Sequence, residues 1–174
     1  MSHIIHVGMD FNAANCSAVA GIHLPERKKI HIFREFVGYF DTPDIIKAIQ
    51  EAFDGLVIWA YPDASGIKRS SINAHTSDIA LLRAAKFRVR AKSVNPLVRD
   101  RIASVNRAFD KDNLKIDINR CPELVECLEQ QVFLDNGQPD KKSGYDHMVD
   151  ALGYLVSYIM PVRNTRHSKV AVAG

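Results

Sequence analysis

Three aspartates and one histidine stand where they could do chemistry. Asp10 closes the apolar run Ile4–Met9, and Asp63 follows the apolar run Leu56–Ala60 inside Tyr61-Pro62-Asp63-Ala64-Ser65-Gly66. Asp150 and His147 fall in Asp146-His147-Met148-Val149-Asp150-Ala151-Leu152. In a helix, residues three and four apart share a face, so Asp146, His147 and Asp150 would point the same way. Carboxylates brought together repel unless they are protonated or bridged by a cation, and hard oxygen ligands suit Mg²⁺ or Mn²⁺. Two such ions about 3.5–4 Å apart can activate a water and stabilise the leaving oxygen in phosphodiester cleavage. Each residue alone has a plainer use. Asp63 is a turn former, His147 a capping or surface histidine, and Asp146 a favourable charge at a helix N-terminus. Asp10 is harder to dismiss, because an acid after an apolar strand costs several kcal/mol unless it is satisfied. It is the conjunction that makes a site.

The elements that must position these residues are legible from periodicity. Ile4–Met9, Ser17–Leu24 and a third run in which Ile30, Ile32 and Phe36 share one face read as strands. Short polar turns join them, which predicts an antiparallel meander. Thr42-Pro43 reads as a helix start with Thr42 as N-cap, followed by Ile45, Ile46, Ile49 and Phe53 at helical spacing up to Gly55. Leu56–Ala60 reads as a strand covered on both faces. Ser77–Ala85 is then a helix and Phe87–Ala91 a strand. A helix from Asn95-Pro96 carries Val98, Ile102, Val105 and Phe109 on one face, and a short strand spans Leu114–Ile118. Helices from Cys121-Pro122 and over Tyr145–Met160 complete the chain, separated by a polar loop at 135–144. The predicted fold class is α/β, a mixed sheet of five or slightly more strands, three antiparallel strands first, with helices on both faces. That element order is the order of the ribonuclease H-like fold. Right-handed crossovers would make strands one and four neighbours, so Asp10 and Asp63 would meet at adjacent strand ends.

A chain of 174 residues, 47% hydrophobic and 25% charged, is one domain or a domain with a tail. We expect the domain over residues 1–162. Residues 163–174, with Arg163, Arg166, His167 and Lys169 and no acid, are expected to form a flexible basic tail. No apolar run reaches the roughly 18 residues of a membrane span, and no signal peptide is evident. Cys16, Cys121 and Cys127 fit free buried thiols in a reducing compartment, without a zinc spacing. There is no GxxxxGK[ST] loop for ATP and no nucleophile elbow around Ser65. Net charge is only +3, but eight basic residues and one acid lie between Arg83 and Arg107. Arg88, Arg90, Arg99, Arg101 and Arg107 are the candidate contacts to a DNA backbone; a solvated charged face is the plainer use of such a run.

Taken together, Val7-Gly8-Met9-Asp10-Phe11-Asn12, Tyr61–Gly66 and Asp146–Tyr154 resemble the nuclease domain of the large terminase subunit of tailed bacteriophages. Asn95–Ile102 looks like that family too, so the resemblance covers residues 4–160. It implies an RNase H-like endonuclease that cuts concatemeric viral DNA during packaging, with two divalent ions, Mg²⁺ or Mn²⁺. By motif position Asp10 would bridge both metals, Asp63 and Asp150 would be the fourth-strand and C-terminal-helix acids, and His147 would lie at the metals with Asp146 adjacent. Double-stranded DNA, the terminase ATPase domain, the small terminase subunit and the portal protein are the implied partners, and the host cytoplasm the implied location. The family's intact subunit carries an N-terminal ATPase motor that this chain lacks, so an excised domain or a separately encoded nuclease is expected. A junction resolvase or RNA-cleaving relative is the alternative enzyme, and a DNA- or portal-docking module the alternative without catalysis. An actin-like nucleotide binder would need two larger lobes than 174 residues provide.

Overall fold

The computed structural model describes residues 4–11, 15–64, 77–135, 138–140 and 144–162. Asn12, Ser65 and Gly66, which belong to the sequence motifs, and the expected tail at 163–174 lie outside the described residues. The meander is β1 (Ile4–Asp10), β2 (Cys16–Leu24) and β3 (Lys29–Tyr39), with β2 antiparallel to both neighbours. There follow α1 (Thr42–Ala52), β4 (Val57–Pro62), α2 (Asp78–Ala84), β5 (Arg88–Val89), α3 (Val98–Asp110), β6 (Leu114–Ile116), α4 (Pro122–Gln130) and α5 (Asp146–Ile159). The six strands form one mixed sheet in the order β5-β4-β1-β2-β3-β6. Strand β4 is parallel to β1, in register from Ile4 opposite Val57 to Met9 opposite Pro62. The crossover expectation therefore holds.

Helices cover both faces and bury two apolar clusters. Ile5, Val7 and Met9 of β1 pack with Ile45 and Ile49 of α1 and Leu82 of α2. On the opposite face Val19, Ile30 and Ile32 pack with Val105 of α3, Leu124 of α4, and Leu152, Leu155 and Val156 of α5. Successive strand residues point to opposite faces, so Gly8 and Asp10 face α5. That alternation is what aims the first acid at the last helix.

Gly8 sets how near α5 comes. A Cβ at this position would lie 2.1 Å from the carbonyl oxygen of Ala151 and 2.9 Å from Leu155 Cβ. The helix backbone rests directly on the strand. Gly8→Ala must therefore push α5 outward, because a backbone carbonyl cannot rotate aside as a flexible side chain can. We expect a stability loss of about 2–3 kcal/mol, read from urea denaturation. Cleavage by the remaining folded protein should also fall, since α5 carries Asp150 away from Asp10. A wild-type urea midpoint for this variant would refute so close an approach.

Some local expectations are corrected. Asp41, not Thr42, caps α1, its carboxylate accepting from Asp44 N at 2.8 Å, because the backbone is already extended at Asp41. The Thr42 hydroxyl instead donates to Asp78 Oδ1 at 2.7 Å and ties α1 to α2. Ile30 and Ile32 do not share a cluster with Phe36, which packs on the α1 side. The register shifts between Ala20 and Gly21, where β3 has an extra residue, and a bulge of that kind turns the following side chains over. Gly21 permits it, since a Cβ there would sit 2.2 Å from the His31 carbonyl oxygen. Strand β5 is shorter than Phe87–Ala91, with only Arg88 and Val89 paired. On α3 the buried line is Arg101, Ser104, Val105 and Ala108, while Phe109 is 40% exposed.

Candidate active site

The C-terminal ends of β1 and β4 lie side by side, and Asp63 N donates to Met9 O at 3.1 Å. This bond carries the parallel pairing one residue beyond β4 and brings the backbones of Asp10 and Asp63 to the same sheet end. Both carboxylates are largely withdrawn from water, each residue 8% exposed. Across them lies the first turn of α5. His147 Nδ1 is 3.1 Å from Asp10 Oδ2, and its Nε2 is 3.9 Å from Asp146 Oδ1. Asp146 is buried, and Asp150 lies one turn further along the same helix. The structure thus brings Asp10, Asp63, Asp146, His147 and Asp150 to one end of the sheet.

Electrostatics couple these groups. Burial holds the Asp10 carboxyl above its ordinary range; Asp150 and Asp63 repel its charge further, while the bond to His147 opposes the shift. The His147 imidazole is pushed up, chiefly by its bond to Asp10 and against the effect of burial. Hydrogen-bonding partners hold the other acids. Asn95 Nδ2 donates to Asp63 Oδ1, and Asn95 Oδ1 accepts from Ala64 N at 2.7 Å. Arg101 Nη2 donates to Asp150 Oδ1 at 2.6 Å. The Arg101 guanidinium also lies over the Tyr154 ring, 4.5 Å from its centroid, and its stem packs on Gly153.

Asn95 was legible in the sequence only as part of a helix start. The helix in fact begins at Val98, after Leu97, which makes no side-chain capping bond. Asn95 is freed to clamp the loop that carries Asp63. Arg101 requires a correction. Expected among the DNA-contacting arginines, it is 5% exposed and bonded to Asp150, so it has no surface to offer a phosphate. Helical spacing cannot separate the two outcomes, since an arginine on the inner line of α3 differs from an outer one only by rotation about the axis.

The other arginines are exposed but scattered. Arg99 is on the outer side of α3, its Nε 3.6 Å from Asp100 Oδ1. Arg90 stacks on Trp59, 4.2 Å from the ring centroid, and with Lys92 and Asn95 lines the cleft near Asp63. Arg88 lines another hollow with Lys86, and Arg107 a third near the far end of α5. Lys92, which no sequence pattern singles out, thus shares a hollow with Asn95, the residue that bonds Asp63. The three cysteines are free and buried as expected, and burial pushes the Cys121 thiol up to about 12.

The donor chemistry suits a hard divalent ion: carboxylates from three separate elements, with one imidazole beside them. Among the described residues no three His, Cys, Asp or Glu side chains already stand at the separation needed to share an ion. The acids converge but are held by Asn95, Arg101 and His147. An incoming cation would have to draw them from those partners, and relief of the repulsion at Asp10 favours that exchange.

Residues 7–158 match the sequence model of the family described as the terminase RNaseH-like domain. No curated protein sequence shows a significant match. Among solved structures, the nuclease domain of the P22 large terminase is similar over 90% of this chain and 80% of its own, at 15% identity and a TM-score of 0.69. The g2p large terminase nuclease domain of bacteriophage SPP1, with bound Mn, matches over 87% and 84% at 20% identity and a TM-score of 0.59. The large terminase nuclease of thermophilic phage G20c, with bound cobalt, matches over 89% and 81% at 13% identity and a TM-score of 0.61. At these identities the likeness is one of fold.

Proposed function

Since the chain belongs to the terminase RNaseH-like domain family, we propose that it is a metal-dependent endonuclease cleaving concatemeric viral DNA during genome packaging. The observation that carries this reading is the meeting of Asp10 and Asp63 at adjacent strand ends, beneath a helix whose His147 bonds Asp10. Asp10, Asp63 and Asp150 are the residues that would hold two Mg²⁺ or Mn²⁺ ions, with His147 and Asp146 beside them. Bound there, such ions lower the pKa of a water and neutralise charge on the scissile phosphate.

The chain's own side chains do the positioning. Asn95 holds the Asp63 carboxylate and the Ala64 amide together, so the loop after β4 presents its acid toward Asp10. Arg101 fixes the rotamer of Asp150 and offsets its charge until a stronger cation competes for it. His147 can take or give a proton at Nδ1 in exchange with Asp10, which lets the pair adjust its charge as the site fills. Arg90 and Lys92, exposed in the hollow they share with Asn95, would meet the backbone of the duplex. Arg99, exposed on the outer side of α3, would add a separate contact. The remaining parts of the reading follow the family: an ATPase motor, a small terminase subunit and a portal as partners, in the host cytoplasm. No helix among the described residues is long and apolar enough to cross a membrane.

The test is cleavage of linear duplex, four-way junction and RNA–DNA hybrid in Mg²⁺ and in Mn²⁺. Preference for linear duplex supports the terminase reading; preference for the junction or the hybrid would replace it with a resolvase or RNase H activity. No cleavage of any substrate would leave the docking module. Two variants refine the site. Asp150→Ala should eliminate activity, whereas His147→Ala should reduce it or change the preferred metal, because imidazole is a softer ligand than carboxylate. A His147→Ala enzyme equal to wild type with both metals would return that histidine to a structural role.

A further inference from the structure

At the far end of α5 an open cavity of about 640 Å³ lies between the β2–β3 turn, the last turns of α3 and the end of α5. Its lining includes Lys28, Arg107 and Lys111 and contains no carboxylate. Among the described residues none of these three cations has an ion-pair partner. Glu26, Asp110 and Asp112 are the acids nearest to them in sequence. Among the described residues none of the three pairs with these cations, and Asp112 is occupied by Lys29 at 2.7 Å and by Lys115. Arg107 in the last turn of α3 and Lys111 at its C-cap bring two like charges together four residues apart.

The cavity is also built rather than accidental. With its amide oriented to satisfy its neighbours, Asn113 donates to the carbonyl oxygens of both Lys28 and Lys111 at 3.2 Å. Those bonds lock the two backbones that carry the lysines. Lys28 is further set by a left-handed conformation, φ 51°. Ser104 Oγ accepts from Val162 N at 3.2 Å and holds the chain leaving α5 against α3, which closes one wall.

We propose that this cavity binds phosphates of the DNA backbone at a place separate from the acids, a second anchor for the duplex that the active site cuts. It rests on the reading of duplex DNA as the substrate. The lining favours a backbone over a free nucleotide. His23 is its one aromatic ring, and both N–H groups of the Asn113 amide are spent on the two carbonyls, so the lining offers cations for phosphates and little that would read a base. Only charge is read, and phosphate contacts of that kind position a duplex without specifying sequence. Ile159 on the lining lies about 14 Å along the helix axis from Asp150. That separation is well within one helical turn of duplex, about 34 Å, as a second contact to the same molecule requires.

The experiment measures duplex affinity by fluorescence anisotropy over a range of KCl, in the Asp10→Asn background so that the substrate stays intact. Each cation–phosphate pair removed lowers the slope of log affinity against log salt by about 0.9. The triple variant Lys28→Gln/Arg107→Gln/Lys111→Gln should thus lower it by about 2–3. Lys28→Arg/Lys111→Arg should keep the parent slope, as should Lys47→Gln on α1, across the sheet. Should the triple variant fail to fold by circular dichroism, the three single variants, each expected to lower the slope by about 0.9, decide the matter. A parallel titration with inorganic triphosphate separates the sources. Triphosphate uptake that the triple variant loses, with an unchanged DNA slope, would make this a free-phosphate site and overturn the proposal; no effect in either arm would overturn it too. The slope needs no catalysis. Failure of the wild type to cleave would therefore sink the proposed function alone, and an unchanged slope beside normal cleavage would sink this inference alone.

Discussion

Asp10→Asn should abolish cleavage while leaving the fold intact, and should make the metal-free protein more stable, not less. The Asp10 side chain is 11% exposed, faces α5, and feels the charges of Asp150 and Asp63. An ion held by Asp10 would meet a neutral amide in place of a full negative charge. Several kcal/mol of transition-state stabilisation, roughly a thousandfold in rate or more, should go with it. The stability gain has a definite pH sign. Burial and repulsion raise the Asp10 pKa in the folded state, so the wild-type residue favours folding at low pH and loses that contribution as pH rises through the folded value. The advantage of the asparagine variant should accordingly be present at neutral pH and shrink below the ordinary carboxylate range. Urea denaturation of both proteins from about pH 4 to 8, beside a plasmid cleavage assay in Mg²⁺, checks the two halves together. Wild-type cleavage by the variant would remove Asp10 from the site, whatever its stability.

The second large effect is expected at Arg101. Its side chain is 6% exposed and its Nη2 lies 2.6 Å from Asp150 Oδ1, so the pair is almost wholly withdrawn from solvent. Removing one member of a buried pair costs far more than the pair contributes, because the remaining charge keeps its desolvation penalty. Arg101→Ala should therefore lower stability by about 3 kcal/mol in the absence of metal. The guanidinium stacked on Tyr154 and the stem over Gly153 add their packing to that figure. Millimolar Mn²⁺ should restore part of the stability by mass action, since an ion at Asp150 supplies the missing positive charge. Denaturation with and without Mn²⁺ reads both effects. A variant as stable as wild type would mean that water screens this pair; a variant that Mn²⁺ cannot rescue would mean that Asp150 does not meet the ion.

The same arginine marks where local pattern stops being enough. Apolar runs that end in Asp10 and Asp63, the helical spacing of His147 and Asp150, and the β-strand and helix order are all local patterns. Local patterns suffice for the α/β class, the neighbouring of strands one and four through handedness, and the set of acids. They did not suffice for faces and partners. The bulge opposite Gly21 moves Phe36 to the other side of β3, because one extra residue in a strand inverts every side chain after it. Arg101 faces inward and Arg99 outward on one helix, a matter of where α3 rolls against α5. Asn95 reaches Asp63 across 32 positions, and His147 reaches Asp10 across 137. Such meetings are consequences of packing between elements distant in the chain. Gly8 joins the two levels: its lack of a side chain is written in the sequence, yet only the seating of α5 upon β1 turns that lack into the placement of the acids.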